Sequence, residues 1–501
     1  MNVLSRDARA ETPWWLIALL VASLCVLYAS TVSQPFDFED DGNLVYSSAP
    51  HSGFGDRLAL VWSRTLAELH HDGPFRPVLW AYFELHNYTF GLDVVRWRVA
   101  RLGTLGVSAF LFLVLLLDLG VPRYAAALAI AVGLLAPVRS AIWYRLAFLE
   151  ALAMPMVLLA LIAARKASRS ERPFSWDVVG SLSILGAMLT KNVFVSALPA
   201  QVLLRVWQDG RQFGEGVRAQ WRPALALSLI AAVPMGHLVY FKYAVEAHSW
   251  YKVGIPSIEA THAMVWAVLW RASGYEFIGP GLALAAVGVI ASPVARRWAL
   301  EERLRRVWIV GLLLMLSGIL VYVPLRAVTG RYTVPAAWGV DMLDAALLSC
   351  VPAITWRGLR RAIYAALALG CAVLVVVNLY HQQRFISRCA VLWHTAQWLM
   401  RESPPEARVM VIGPAISEAE VVHLRGHLRG QSERHDVHID IAESANALGA
   451  ADLLITNTES VALNGFVRVT AFPMRMSRWS RVRERLHKRD HGTVIWRRVH
   501  P

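Results

Sequence analysis

The chain has 501 residues, 56% of them hydrophobic, and a mean hydropathy of +0.43. Those values exclude an ordinary soluble enzyme and a disordered chain, and they point to a polytopic membrane protein. The formal charge of +14, from 50 Lys and Arg against 36 Asp and Glu, does not indicate nucleic acid. The basic residues sit mainly in short loops between apolar runs, where they orient helices and meet anionic lipid. Cys25, Cys350 and Cys371 fall inside apolar runs and Cys389 stands alone, a pattern of neither a disulfide framework nor a cysteine metal site.

In chain order, Arg6 and Arg9 precede an uncharged run from Trp14 to Ser33. It is long enough to cross a bilayer and too long for a signal-peptide core, so it is expected to remain as a first helix. A few residues on comes Pro35-Phe36-Asp37-Phe38-Glu39-Asp40-Asp41-Gly42-Asn43. Carboxylates this close disfavour one another's charge, a costly arrangement unless a cation, a metal or a proton transfer uses it. The plain alternative is a solvated acidic loop. Further membrane helices are expected near 97–118, 123–138, 141–164, 177–191, 192–206, 223–241, 277–295, 307–325, 332–354 and 362–380, about eleven in all. Thr261 to Trp270 is apolar but too short to span, and reads as an interfacial or re-entrant helix.

The basic clusters around 165–172, 205–222, 296–306 and 357–361 fall on the side of the N-terminus, which the positive-inside rule makes cytoplasmic. The other side, the periplasm in a bacterium, receives the outer loop 34–96, the segment Lys242 to Glu276 and everything after Tyr380. The expected fold is therefore mainly α: a polytopic membrane helix bundle over 1–381, with a small extracytoplasmic α/β domain over 382–501. In that domain strand-length apolar runs appear at Arg408 to Ile412, Val437 to Ile441, Asp452 to Thr456, Phe466 to Thr470 and Thr493 to Trp496, with a helix-like Ser417 to Leu428 between the first two. It is basic near its end, from Arg475 to Arg489, which suits a glycan, an anionic headgroup, a membrane surface or plain solvent. His423 and His427 are spaced as a metal pair but have no third ligand in view.

Ionisable groups inside or at the ends of membrane helices are costly, and each is a functional candidate. In the expected topology Arg139, Arg145 and Glu150 lie at the outer end of the 123–164 hairpin, Lys191 caps its helix, Arg326 and Arg331 flank an outer turn, and Arg76 lies on the same side. Each alone could be a snorkelling residue. Asp341 and Asp344, three apart, are expected to face the bundle interior and pair with one of these cations. A carboxylate cluster opposite a ring of cations suits a lipid-phosphate sugar donor: the cations hold the phosphate, and a carboxylate takes the proton of an attacking hydroxyl.

The chain resembles the polytopic C-type (GT-C) glycosyltransferases, and within them the tetratricopeptide-associated transmembrane O-mannosyltransferases and their bacterial relatives. The resemblance covers roughly residues 13 to 355. It rests on Phe36-Asp37-Phe38-Glu39-Asp40-Asp41, Phe75-Arg76-Pro77-Val78-Leu79, Pro137-Val138-Arg139 running to Trp143 and Glu150, Leu189-Thr190-Lys191-Asn192, and Gly330-Arg331-Tyr332-Thr333-Val334-Pro335.

The resemblance implies a polyprenyl-phosphate sugar donor, a glycan, lipid or protein acceptor, and a catalytic centre on the acidic pair of the first outer loop. Asp40 is the first choice of base, with Glu39 or Asp41 as its partner. Lys191 and Arg331 are the implied donor-phosphate ligands, with Arg76, Arg139 and Arg145 as further cations and Tyr332 and Glu150 as substrate contacts. Asn192 stands where the family often has a second acid, and no tetratricopeptide repeats follow. A divalent cation such as Mg or Mn could sit on the acidic stretch, or the cation ring could replace it. A transporter or flippase should show internal repeats, and none is evident. A non-catalytic partner in envelope glycan assembly is the remaining alternative.

Overall fold

The computed structural model describes residues 14–36, 53–71, 75–91, 93–146, 148–207, 213–244, 258–322, 333–412, 421, 424–425, 428, 437–441, 451–457, 466–473 and 493–499. Its helices are α1 (Trp14–Ala29), α2 (Phe54–His71), α3 (Pro77–Phe90), α4 (Val94–Asp118), α5 (Arg123–Leu135), α6 (Pro137–Tyr144), α7 (Glu150–Arg169) and α8 (Pro173–Thr190), followed by a 3-10 turn (Asn192–Ala197). Then come α9 (Leu198–Val206), α10 (Phe213–Ala244), α11 (Ile258–Trp266), α12 (Tyr275–Ala291), α13 (Pro293–Ala299), α14 (Glu302–Tyr322), α15 (Val334–Cys350) and α16 (Arg357–Glu402).

Among the described residues, α4, α7, α14, α15 and α16 are long and apolar enough to cross a membrane, and the bent pair α11–α12 makes a sixth if it is one span. The chain is an integral membrane protein. Among the described residues the expected count of about eleven spans is not confirmed, and several of the apolar runs are broken. The run 123–138 stops at Leu135, since Pro137 opens α6 and cannot continue α5; the run 141–164 is instead the short α6 and then α7, which begins at Glu150. The run 192–206 divides into the 3-10 turn and the nine-residue α9. The short helix expected at Thr261 to Trp270 is present as α11 and a π turn (Ala267–Ala272), bent by 81° from α12.

A helix that ends inside a bundle leaves carbonyls to satisfy. At the end of α5, Tyr28 Oη donates to Leu134 O at 2.6 Å, and Asn378 Nδ2 donates to Leu135 O at 3.2 Å and to Tyr28 Oη at 3.1 Å. The break is thereby capped from α1 and α16. Backbones of α14 and α15 meet directly: a Cβ on Gly318 would lie 2.7 Å from Ala336 N, so only glycine fits there.

Helices α2 and α3 form a pair outside the bundle. Buried Glu84 joins them, gripped by Arg57 at 3.0 Å and Arg64 at 3.2 Å. Phe54, Leu58, Trp62, Leu85 and Tyr88 stay exposed, an apolar face suited to the membrane interface.

Helix α16 runs 46 residues without a break, past the boundary expected at 381. At 1.5 Å per residue it is about 69 Å long. Its later turns, through Leu392, Ala396 and Leu399, pack on a five-stranded sheet. The strands are β1 (Arg408–Val411), β2 (His438–Ile441), β3 (Leu453–Asn457), β4 (Phe466–Phe472) and β5 (Thr493–Arg498), each where a strand-length run was expected. Their order is β2-β1-β3-β5-β4, with β1 parallel to β2 and β3, and β5 antiparallel to β3 and β4. Of the helix expected at Ser417 to Leu428, only 421, 424, 425 and 428 are described. They are helical, and Val421, Leu424 and Leu428 join the sheet's core. His423, His427 and the basic run from Arg475 to Arg489 lie outside the described residues.

Candidate functional site

The site is built on two arginines one turn apart on α4. Arg98 and Arg101 are each 2% exposed. Arg98 donates from Nε to Gln34 O at 3.2 Å, from Nη2 to Pro35 O at 2.7 Å and from Nη1 to Tyr144 O, and its guanidinium lies 5.4 Å from the Phe385 ring centre. Arg101 donates to Phe148 O at 3.0 Å and to Leu146 O. These bonds tie three separate segments together: the exit of α1, the connection from α6 to α7, and α16. Phe36 is buried beside them with Leu79, Phe83, Trp97 and Leu146. The last described residue before the acidic stretch is thus held firmly. Asp37, Glu39, Asp40 and Asp41 themselves lie outside the described residues, as do Arg326, Arg331 and Tyr332.

Beside that anchor, Lys191 Nζ donates to Glu150 Oε1. Glu150 opens α7 and is fully buried, while Lys191 sits in extended backbone between α8 and the 3-10 turn, its side chain 11% exposed. Glu150 Oε2 and both side-chain polar atoms of Asn192 are buried without a hydrogen-bond partner. Arg145, at the end of α6, lies over Phe148 at 5.4 Å and Phe385 at 5.9 Å.

The other nominated cations are engaged nearby. Arg139 is held by Asp341 through two bonds, Nη2 to Oδ1 at 2.9 Å and Nη1 to Oδ2. Gly133 makes room for them: a Cβ there would lie 2.8 Å from Asp341 Oδ2. Asp341 meets the expectation of a buried acid paired with a cation. Asp344 instead accepts from Tyr275 Oη at 2.6 Å. Arg139, Trp143, Trp338 and Asp341 line a cavity of about 10 Å³, room for one water. Arg76 precedes α3 and bonds Glu68, which also accepts from Trp80 Nε1 at 3.0 Å. On α3, His86 donates from Nδ1 to Tyr82 O at 2.9 Å and packs 5.0 Å from the Trp97 ring. Burial, with a smaller push from Arg101, lowers its pKa to about 4.

Sequence reasoning therefore nominated Lys191 and Glu150 separately, and the structure makes them a pair. It missed Arg98 and Arg101, although two arginines three apart near the start of an apolar helix are a signal that both occupy one costly face. Among the described residues, no group of three or more His, Cys, Asp or Glu side chains could hold a metal ion.

The opposite end of α7, about 30 Å away by helix rise, is built otherwise. There Arg205 is chelated by Asp177 at 2.6 and 2.9 Å and bonded to Gln220 at 2.8 Å, and Asp118 is shared between Arg165 and Arg169.

The bundle, the helix pair and the C-terminal sheet together share their fold with a solved membrane-protein structure. The chain is similar to ArnT from Cupriavidus metallidurans bound to undecaprenyl phosphate, at 14% identity over 97% of this chain and 99% of that one, with a TM-score of 0.50. The apo state of that protein aligns at 15% identity, over 97% and 98% of the two chains, with a TM-score of 0.49. The arabinofuranosyltransferase AftD from Mycobacteria aligns at 14% identity over 98% of this chain and 40% of that one, with a TM-score of 0.46. At such identity the likeness is one of fold. No family model and no curated protein matches the chain.

Proposed function

We propose that the chain is a membrane glycosyltransferase that moves a hexosyl or pentosyl unit from a polyprenyl-phosphate donor to an envelope glycan, lipid or protein acceptor on the extracytoplasmic face, the periplasm in a bacterium. The observation that carries this reading is the convergence at one end of the bundle. The backbone leading into the acidic stretch, fixed by Arg98 and Phe36, shares the α6–α7 connection with the Lys191–Glu150 pair. The fold shared with ArnT, whose structure holds undecaprenyl phosphate, supports a lipid-phosphate donor.

In this reading Lys191 and Arg331 hold the donor phosphate and neutralise it as it leaves, with Arg145 near at hand. Asp40, partnered by Glu39 or Asp41, takes the acceptor's proton as its oxygen attacks the anomeric carbon. A divalent cation on the acidic stretch would serve the leaving phosphate in the same way.

The test is transfer of radiolabelled sugar from a panel of polyprenyl-phosphate donors to extracted envelope acceptors. Asp40→Asn is expected to lose transfer while keeping donor binding, by at least about 100-fold for loss of a general base. Lys191→Ala is expected to weaken donor binding. Wild-type protein that transfers nothing from any donor, or variants that match it, would overturn the reading and leave a non-catalytic assembly partner.

A further inference from the structure

We propose that Glu150 is a built-in competitor for the donor phosphate: Lys191 is exchanged between two anions, the Glu150 carboxylate when the site is empty and the phosphate of a lipid carrier when it is loaded. This rests on the reading that Lys191 holds the phosphate.

Three observations carry it. First, Lys191 Nζ is bonded to Glu150, so a phosphate that uses this ammonium must share or displace that bond. Of the two, the lysine is the more accessible: its side chain is 11% exposed while Glu150 is fully buried. Second, Glu150 is the first residue of the 20-residue α7, where the helix dipole favours an anion. Third, the surroundings hold unused hydrogen-bonding capacity. Glu150 Oε2 and the Asn192 amide are buried without hydrogen-bond partners. An arriving phosphate ester, with its oxygen acceptors, and the carbohydrate hydroxyls behind it can use the Asn192 donor and acceptor.

The consequence is discrimination by charge. A polyprenyl phosphosugar is a phosphodiester with one negative charge, whereas the polyprenyl phosphate left after transfer is a monoester carrying up to two. A fixed carboxylate beside the binding ammonium opposes the second charge more than the first, so it speeds departure of the spent carrier.

The experiment uses the purified full-length chain in detergent and measures binding of polyprenyl phosphate, with inorganic phosphate as a second probe. Glu150→Gln, which keeps the shape and removes the charge, is expected to bind polyprenyl phosphate about tenfold tighter, the size of one charged hydrogen bond. It should tighten an uncleavable phosphodiester analogue of the donor by less. In Lys191→Ala binding should weaken, and adding Glu150→Gln should then change nothing, because Glu150 acts through the lysine. Inorganic phosphate following the same order would locate recognition in the phosphate group alone; a response confined to polyprenyl phosphate would show that the lipid tail must seat it. Both outcomes support the exchange. Equal or weaker binding by Glu150→Gln, in protein that unfolds at the wild-type temperature, overturns it. Should Glu150→Gln fail to fold, Glu150→Asp shortens the arm while keeping the charge, and is expected to tighten binding by a smaller factor; unchanged binding there overturns the proposal too. Unaltered binding in Lys191→Ala would instead remove Lys191 from the phosphate site, a failure of the parent reading.

Discussion

Both ends of α7 bury charge, yet they satisfy it differently. At the Arg169 end, arginines meet carboxylates: Arg205 is chelated by Asp177, and Asp118 serves Arg165 and Arg169. That is how a bundle closes a seam with ion pairs. At the Glu150 end, the hydrogen bonds of Arg98 and Arg101 go to backbone carbonyls among the described residues, while Glu150, Asn192 and Trp143 keep polar atoms without hydrogen-bond partners. Unpaired polar atoms occur at both ends, since the Gln201 amide one turn before Arg205 is also buried without a hydrogen-bond partner, so the contrast lies in what the arginines meet: carboxylates at one end, backbone carbonyls at the other.

The sharpest way to break this contrast is at its border. Arg139→Met leaves Asp341 buried without its cation and is expected to cost about 3–5 kcal/mol. The measure is the unfolding midpoint in detergent; a fall no larger than that of an exposed control such as Arg297→Gln would mean that the pair contributes nothing. Arg98→Gln comes next. It removes charged bonds to carbonyls of two segments and is expected to cost about 2–3 kcal/mol. Sugar transfer per folded molecule should fall with it, because the backbone before Asp37 loses its tether; retained specific transfer would separate Arg98 from the chemistry.

At the Arg169 end, Arg205→Met is expected to cost about 1–3 kcal/mol. Transfer per folded molecule should stay near wild type, and a tenfold loss would erase the distinction between the ends. The smallest effect is on pH. His86 is neutral in the folded chain, with its pKa lowered from 6.5 to about 4, so the unfolded chain takes up the proton first. Its contribution is complete above pH 6.5 and is lost as pH falls toward 4. His86→Phe should flatten that part of the stability–pH curve, and an unchanged slope would show that other groups set it.

The sequence made parts of this legible and hid others for physical reasons. All five strands were readable, because short apolar runs bounded by polar and turn-forming residues have few other folds available. The Arg139–Asp341 pair was half readable: an acid in an apolar helix needs a cation, though not a particular one. The break after Leu135 was not readable, because the carbonyls it exposes are capped by Tyr28 and Asn378, far away in the chain. Arg98 and Arg101 were missed for a related reason. Their partners are backbone oxygens, 45 to 64 residues distant, which leave no complementary charge in the sequence.

Helix α16 contains no proline along its 46 residues, and the sheet is clamped to its last turns. It works as a stiff strut without a hinge. Phe385, on which Arg98 and Arg145 rest, lies partway along it. One continuous helix thus carries both the sheet, on its last turns, and the ring on which Arg98 and Arg145 rest, with no proline between them.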